Sequence, residues 1–465
     1  MKLKIKEKIK SLLNFKSPIL AKFGLEKALL NSFGAKAVAS FLGPLQIILI
    51  MRYFSAEMQG YYYTFGSLLT FQAVLDLGLG SIVTYFASHE WGRLKYLPET
   101  GIVGDEKALK RLVSFGRAVF KWYFLAAFLL FVGLSFGGLV FFDLKETVGF
   151  SWKKPWIFLS LANSLIFFFM PVWALLEGCS QQNRVAYYRL IYSLIWGSIN
   201  CLGVFLGAGL WVNVIALSGC LCWNLYFLKR YFFVFFKTFF NKLLVIKIPW
   251  KEEVLPMQWR LALGSLCGFI AFGLFNPVIF RFFGPVMAGQ VGLVLFLTGV
   301  ITNFSLIYLN AYLPQFGTLL AQGRLAEREA LFLRVLGITF LLSTVLSLGL
   351  LFCVYLGKSL GFYIFNVRML ASPCLEYFVL GNFLICLSCP FSIYMRSYKK
   401  EPLLTISLIA ALATVFLLLL WGYKHNLEKL AVSYLVLHVF GLVWIFFLWI
   451  NFRKKQIILT KKIES

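Results

Sequence analysis

Apolar residues along this chain come in long runs, separated by short polar stretches rich in Lys and Arg. A helix needs about 20 apolar residues to cross a bilayer core, and inside a bilayer a helix satisfies its own backbone groups. The pattern predicts twelve spans, at roughly 32–51, 60–86, 119–142, 155–177, 189–208, 211–228, 261–283, 285–311, 335–356, 373–395, 403–423 and 430–452. The fold expected is an all-α polytopic membrane protein.

One polar corner occurs twice. Arg52-Tyr53-Phe54-Ser55-Ala56-Glu57-Met58-Gln59-Gly60 is matched by Arg281-Phe282-Phe283-Gly284-Pro285-Val286-Met287-Ala288-Gly289, with Arg, an aromatic, Phe, Met and Gly in register. Arg52 and Gly60, and Arg281 and Gly289, are therefore read as structural corners between two spans. The flanks agree: Leu109-Lys110-Arg111-Leu112-Val113 and Leu331-Phe332-Leu333-Arg334-Val335 each lead into a third span. Six spans separate the corners. An even number puts both on one side of the membrane, so the halves are parallel six-helix repeats rather than inverted ones.

Composition supports this reading and narrows the function. Hydrophobic residues make up 60% of the chain and mean hydropathy is +0.81, outside the soluble globular range. The formal charge of +26 sits in the loops, where topology accounts for it and nucleic-acid binding is not needed. Only Arg52, Lys145, Lys153, Lys154, Arg281, Lys358, Arg368, Lys424 and Lys429 fall on the corner side. The other 36 of 45 Lys and Arg predict that the opposite side, with both termini, is cytoplasmic. No GxxxxGK[ST] motif is present, which argues against an ATP-driven pump. The nine cysteines are scattered, and the CxxC of Cys386 and Cys389 has no second pair, so no metal or other cofactor is expected.

The domain reading follows. Residues 1–30 form a basic segment whose Leu3, Ile5, Ile9, Leu12 and Leu13 alternate with Lys as in an amphipathic surface helix. Six-helix bundles follow at 31–228 and 261–452, joined by a basic linker at 229–260 and followed by a basic tail at 453–465.

A first span ending in Arg-aromatic-Phe, followed by variable or acidic positions and then Gly and aromatics, resembles a known family. With Leu75-Asp76-Leu77-Gly78-Leu79-Gly80 in the second span, it is similar to the polysaccharide transporter branch of the multidrug/oligosaccharidyl-lipid/polysaccharide (MOP) exporter superfamily, Wzx-type O-antigen flippases above all. The resemblance implies two bundles around a central cavity that opens alternately to each side. It implies a bacterial inner-membrane protein moving a lipid-linked oligosaccharide, of undecaprenyl-pyrophosphate type, to the outer leaflet. Membrane lipids and a polysaccharide polymerase or ligase would be its partners. The second half has Ser305 and Leu306 where the first has Asp76 and Leu77, so any role of Asp76 belongs to the first half.

Such a substrate carries phosphate, which needs a cationic, wet path and no nucleophile. Lys36, one turn inside the first span, either pairs with the headgroup or snorkels to the interface. Arg260 holds the nearest place in the second half, and the two could form a phosphate clamp. Asp76 is the one carboxylate deep in a span, where it pairs with a cation, binds a coupling ion or titrates. His438 is its possible coupling partner, or else a helix-to-helix hydrogen bond. Gln46, Asn303 and Asn310 either line a sugar-compatible cavity or bond between helices. Asn276-Pro277 is the hinge candidate. A cation-coupled multidrug exporter of the same superfamily is the alternative, and it predicts acidic groups in the cavity. A membrane-embedded glycosyltransferase or polymerase would need a large outer loop, and 143–154 and 357–372 are short. The chain is read as a transporter and not an enzyme.

Overall fold

The computed structural model describes residues 25–143, 149–240, 246, 249–396 and 403–464. The first-half helices are α1 (Leu25–Tyr53), α2 (Ala56–Leu69), α3 (Gln72–Asp76), α4 (Leu79–Trp91), α5 (Glu106–Asp143), α6 (Lys153–Phe168), α7 (Met170–Gly178), α8 (Gln182–Phe205) and α9 (Trp211–Tyr231). A hairpin of β1 (Leu94–Leu97) and β2 (Gly101–Gly104) lies between α4 and α5. The short helices α10 (Phe233–Lys237) and α11 (Trp250–Glu253) follow. The second half holds α12 (Leu255–Gly268), α13 (Phe275–Phe283), α14 (Pro285–Ser305), α15 (Ile307–Ala321), α16 (Leu325–Ser359), α17 (Tyr363–Arg368), α18 (Cys374–Arg396), α19 (Leu404–Tyr423) and α20 (Leu427–Glu464). Residues 1–24, most of the proposed surface helix, lie outside the described residues, as do 397–402 of the polar knuckle after α18.

These helices assemble into twelve rods, but not twelve uniform spans. Ten are long and apolar enough to cross a bilayer unaided, and α2–α4 becomes an eleventh if its bent pieces count as one. The remaining rod, α8, is interrupted by Arg189, Ser193, Ser198 and Asn200. It tolerates them because it packs along α1: a Cβ on Gly197 would meet Leu42 at 2.4 Å, and Asn200 is wholly buried.

Local chemistry explains the breaks. α3 ends because Leu77 and Gly78 are both left-handed, with φ of 52° and 69°, and the chain resumes as α4 after a 44° bend. A non-glycine residue in that conformation costs about 1–2 kcal/mol, so two in succession call for Gly at one. Gly78 is also where α12 comes closest, since a Cβ there would sit 2.2 Å from the Leu261 Cβ. Between α12 and α13, residues Phe269–Gly273 form a π turn. Pro277 has no N–H to give back to Gly273 and its ring crowds that carbonyl, and the wider turn removes the conflict.

The two corners turn differently. Ser55 caps α2, its hydroxyl accepting from the Met58 N–H at 3.1 Å, whereas Gly284 makes the second turn with φ 92°. The corners then meet. A Cβ on Gly60 would lie 1.9 Å from the Pro285 carbonyl oxygen, and one on Gly289 would lie 2.9 Å from the Gly60 nitrogen. Gln59 Nε2 donates to the Gly289 carbonyl at 2.9 Å. Asn276, with its amide turned to suit its neighbours, donates to the Ala288 carbonyl at 2.8 Å and accepts from the Thr64 N–H at 3.0 Å. Tyr61, fully buried, packs on Phe142 and Phe280, joining α2, α5 and α13. The corner end is therefore one continuous core spanning both halves.

The opposite, basic end is built differently. Leu309, Phe316, Phe332, Phe391, Tyr394 and Trp449 form a second core that belongs to the second half alone. On the first half, Phe232, Phe235 and Phe239 turn inward against the hairpin and α5. Arg111 pairs with Glu90 at 2.9 Å and with Glu253 at 2.8 Å, tying α4, α5 and α11 together.

Candidate functional site

A cavity of about 510 Å³ lies inside the first half, beside the bend at Leu77–Gly78. Asp76, Gly80, Ser81 and Thr84 line one wall; Trp173 and Glu177 on α7, Tyr188, Arg189 and Tyr192 on α8, and Asn224 on α9 supply the rest. The volume falls within the range of small-molecule sites.

The cavity holds one ion pair and one carboxylate that has no cation among the described residues. The Tyr123 hydroxyl donates to Asp76 Oδ1, and the backbone of Gly78 and Gly80 stands beside the same carboxylate. Asp76 thus stands at the start of the restarted helix, where an anion is favoured by the unpaired amides and the helix dipole. Glu177 pairs with Arg189 at 2.7 Å on a partly exposed rim. Thr84 turns its hydroxyl to the carbonyls of Gly80 and Ala174, both at 3.1 Å. Trp173 stacks on Tyr188 with ring centres 3.6 Å apart. Asn224, only 1% exposed, has an Oδ1 with no partner among the described residues.

A second polar surface runs down the other half. The contacts of α2 with α14 extend from Gly60–Pro285 through Tyr63–Gly292 to the Tyr63–Phe296 ring pair at 6.0 Å. Phe296, Asn303 and Asn310 then recur every seven residues on one face of α14–α15, all exposed. An amide facing hydrocarbon is costly, so this stripe suits the wet cleft between the halves.

The residues singled out from sequence are scattered among these features. Asp76 reaches the first-half cavity. Asn303 and Asn310 lie on the exposed stripe, and among the described residues neither bonds to another helix. Gln46 is elsewhere: it is buried and donates to the Tyr62 hydroxyl at 2.5 Å and to Asn200 at 3.3 Å, which makes it a helix-to-helix tie. Asp76 and His438 are not brought together. The His438 Nδ1 lies 2.7 Å from the Tyr434 carbonyl of its own helix, with the two rings in contact. Lys36 and Arg260 are both exposed on their helices, and neither has an ion pair among the described residues. Lys36 rides on α1, packed against α8, whereas Arg260 rides on α12, packed against α3 and α19 and stacked over Trp259 at 5.5 Å. They are not assembled into a clamp. Arg52 and Arg281 are exposed at the corners, Arg52 over the Tyr53 ring at 5.8 Å. The Phe54 carbonyl of the first corner accepts instead from Arg368, the last residue of α17 in the second half.

Sequence reading missed Tyr123, Asn224 and the Glu177–Arg189 pair. Asn224 gave a usable signal, being an amide deep in an apolar run. The pair gave none, because its members are twelve positions apart on different helices.

No family model matches this sequence, and no curated protein matches it. Solved structures do match in fold. An inward-facing multidrug resistance MATE family transporter of the MOP superfamily superposes with a TM-score of 0.63 at 12% identity, over 91% of this chain and 99% of that one. The lipid II flippase MurJ, in an inward closed conformation, gives 0.56 at 16% identity over 90% and 87%. A MATE multidrug transporter, DinF-BH, in a ligand complex gives 0.56 at 15% identity over 92% and 95%. With two repeats meeting at their corners and this likeness over nine-tenths of its length, the chain has the two-repeat helical fold of MOP superfamily transporters.

Proposed function

We propose that this protein is a flippase for a lipid-linked oligosaccharide, moving it from the leaflet at the basic end to the leaflet at the corner end by alternating access. The bundles 31–228 and 261–452 are the moving units and 229–260 joins them. In the bacterial inner membrane the basic end faces the cytoplasm, as its Lys and Arg require. The observation that carries this reading is the balance of charge. Among the described residues Asp76 is the carboxylate deep in a span, with the Tyr123 hydroxyl donating to it, so a single intramembrane carboxylate stands against the many Lys and Arg of the basic end. Lys36 and Arg260 stand exposed near the basic end, where a pyrophosphate would enter. The glycan would serve O-antigen or a similar surface polysaccharide, handed on to a polymerase or ligase.

The second reading, a cation-coupled multidrug exporter, is favoured by two of the three fold relatives above and by the place of Asp76 in a cavity. Deleting the gene separates the two. The flippase reading expects glycan-lipid to accumulate and surface polysaccharide to fall, both restored by the wild-type chain and poorly by Lys36→Ala. Normal surface polysaccharide together with retention of a cationic dye would reverse the assignment, with Asp76 as the coupling carboxylate and His438 tested beside it.

A further inference from the structure

We propose that the first-half cavity is a binding site for neutral sugar residues, separate from whatever holds the phosphate. This rests on the flippase reading and assigns the sugar-facing part of it to α4, α7, α8 and α9.

Asp76 accepts from the Tyr123 hydroxyl, and Glu177 pairs with Arg189. A phosphate entering here would find its one arginine paired and Asp76 unopposed, so it would not regain what it gives up in hydration. A polyol meets no such barrier. Its hydroxyls can donate to the outer lone pairs of Asp76 and Glu177, accept from Arg189, and exchange hydrogen bonds with Ser81.

Asn224 makes the case specific. Its Oδ1 is buried among the lining residues and lacks a donor among the described residues. A buried acceptor without a donor costs about 1–3 kcal/mol, so the site is incomplete until something brings an O–H or N–H to it. Sugar hydroxyls and N-acetyl amides do so, whereas a quaternary or aromatic cation without N–H does not. Tyr192 and the Trp173 ring, whose other face is stacked on Tyr188, add apolar walls with polar edges, suited to the C–H faces of pyranose rings. The cavity does not reach Lys36 or Arg260, so recognition of sugar and of pyrophosphate falls on different helices.

The test uses the full-length protein, purified in detergent. It is titrated by calorimetry with the soluble oligosaccharide released by mild acid from the lipid-linked pool of cells lacking this protein, and separately with the quaternary cation tetraphenylphosphonium. The proposal expects the oligosaccharide to bind and Asn224→Leu to weaken it by about tenfold, the worth of one well-made hydrogen bond. Ser81→Leu, which fills an exposed lining position without touching the core, should weaken it at least as much. Lys36→Ala should leave it unchanged, because the released sugar has no pyrophosphate. Oligosaccharide that fails to bind, or that binds Asn224→Leu and Ser81→Leu as tightly as wild type, overturns the proposal. So does tetraphenylphosphonium competing for the same site. If leaflet transport of the intact glycan-lipid persists in those variants, the flippase reading stands and only this site assignment falls; if transport is absent in the wild type as well, the fault lies with that reading.

Discussion

Gly60 and Gly289, equivalent members of the doubled corner, lie against each other backbone to backbone where the two halves meet. The room for a side chain is not equal on the two sides. A Cβ at 60 would strike a fixed carbonyl at 1.9 Å, while one at 289 would sit at 2.9–3.0 Å from backbone atoms. Gly60→Ala should therefore push the halves apart at the corner end by more than Gly289→Ala does. Overpacking of this kind costs about 1–3 kcal/mol. Cysteine pairs placed across α2 and α14 near this contact should crosslink less in Gly60→Ala than in wild type, with Gly289→Ala between them.

Arg368 reaches from the second half to the Phe54 carbonyl, and Gln290 holds the same loop by donating to Val367 at 2.9 Å. A hydrogen bond made by a charged group is worth about 1.5–3 kcal/mol. Arg368→Ala should shift the molecule toward states open at the corner end, read as faster labelling of a cysteine at Ser55 by an impermeant maleimide. Arg52→Ala, at an exposed corner site stacked only on its neighbour Tyr53, should leave labelling unchanged.

Asp76 and Tyr123 form a pair whose strength a double-mutant cycle can measure. Asp76→Ala removes an anion from the start of α4 and the acceptor of Tyr123, and should lower thermal stability by about 1–3 kcal/mol. Tyr123→Phe should cost less, since the carboxylate stays at the helix start. The double variant should cost less than the sum, because the lost contact is shared. Full additivity in thermal unfolding would count against the pair.

At the basic end, Glu90 is buried whereas Glu253 is one-third exposed, yet both bond to Arg111. Glu253→Gln should change stability by less than about 1 kcal/mol and lose its effect in high salt. Arg111→Ala should cost more, because it strands the Glu90 carboxylate. Comparing melting temperatures at low and high salt distinguishes the two.

Much of this architecture could be read from the chain. Twelve apolar runs and a nine-residue corner used twice are enough to predict paired six-helix repeats, because hydrophobic length and turn chemistry act locally. What could not be read is which polar side chains converge. Gln46, an amide in an apolar run like Asn303, bonds to Tyr62 and Asn200, and those partners are set by how α1 packs on α2 and α8. The doubled corner was legible as a turn, but not as a contact with itself. Arg260 is only the nearest cation in the second repeat to the place of Lys36, whose register position is Ser265, and near-corresponding places in parallel repeats need not face each other. The repeat alignment also gave no sign that Leu77 would be left-handed, the conformation found at the 44° bend beside the first-half cavity.

The central claim is movement of a glycan-lipid between leaflets, and leaflet assignment tests it most directly. Spheroplasts with and without the protein are probed with an impermeant lectin against the lipid-linked oligosaccharide. The account predicts that removing the protein leaves the glycan-lipid abundant but shielded from the lectin, and that restoring the wild-type chain exposes it. Equal lectin binding in both cells, at equal amounts of glycan-lipid, would contradict it.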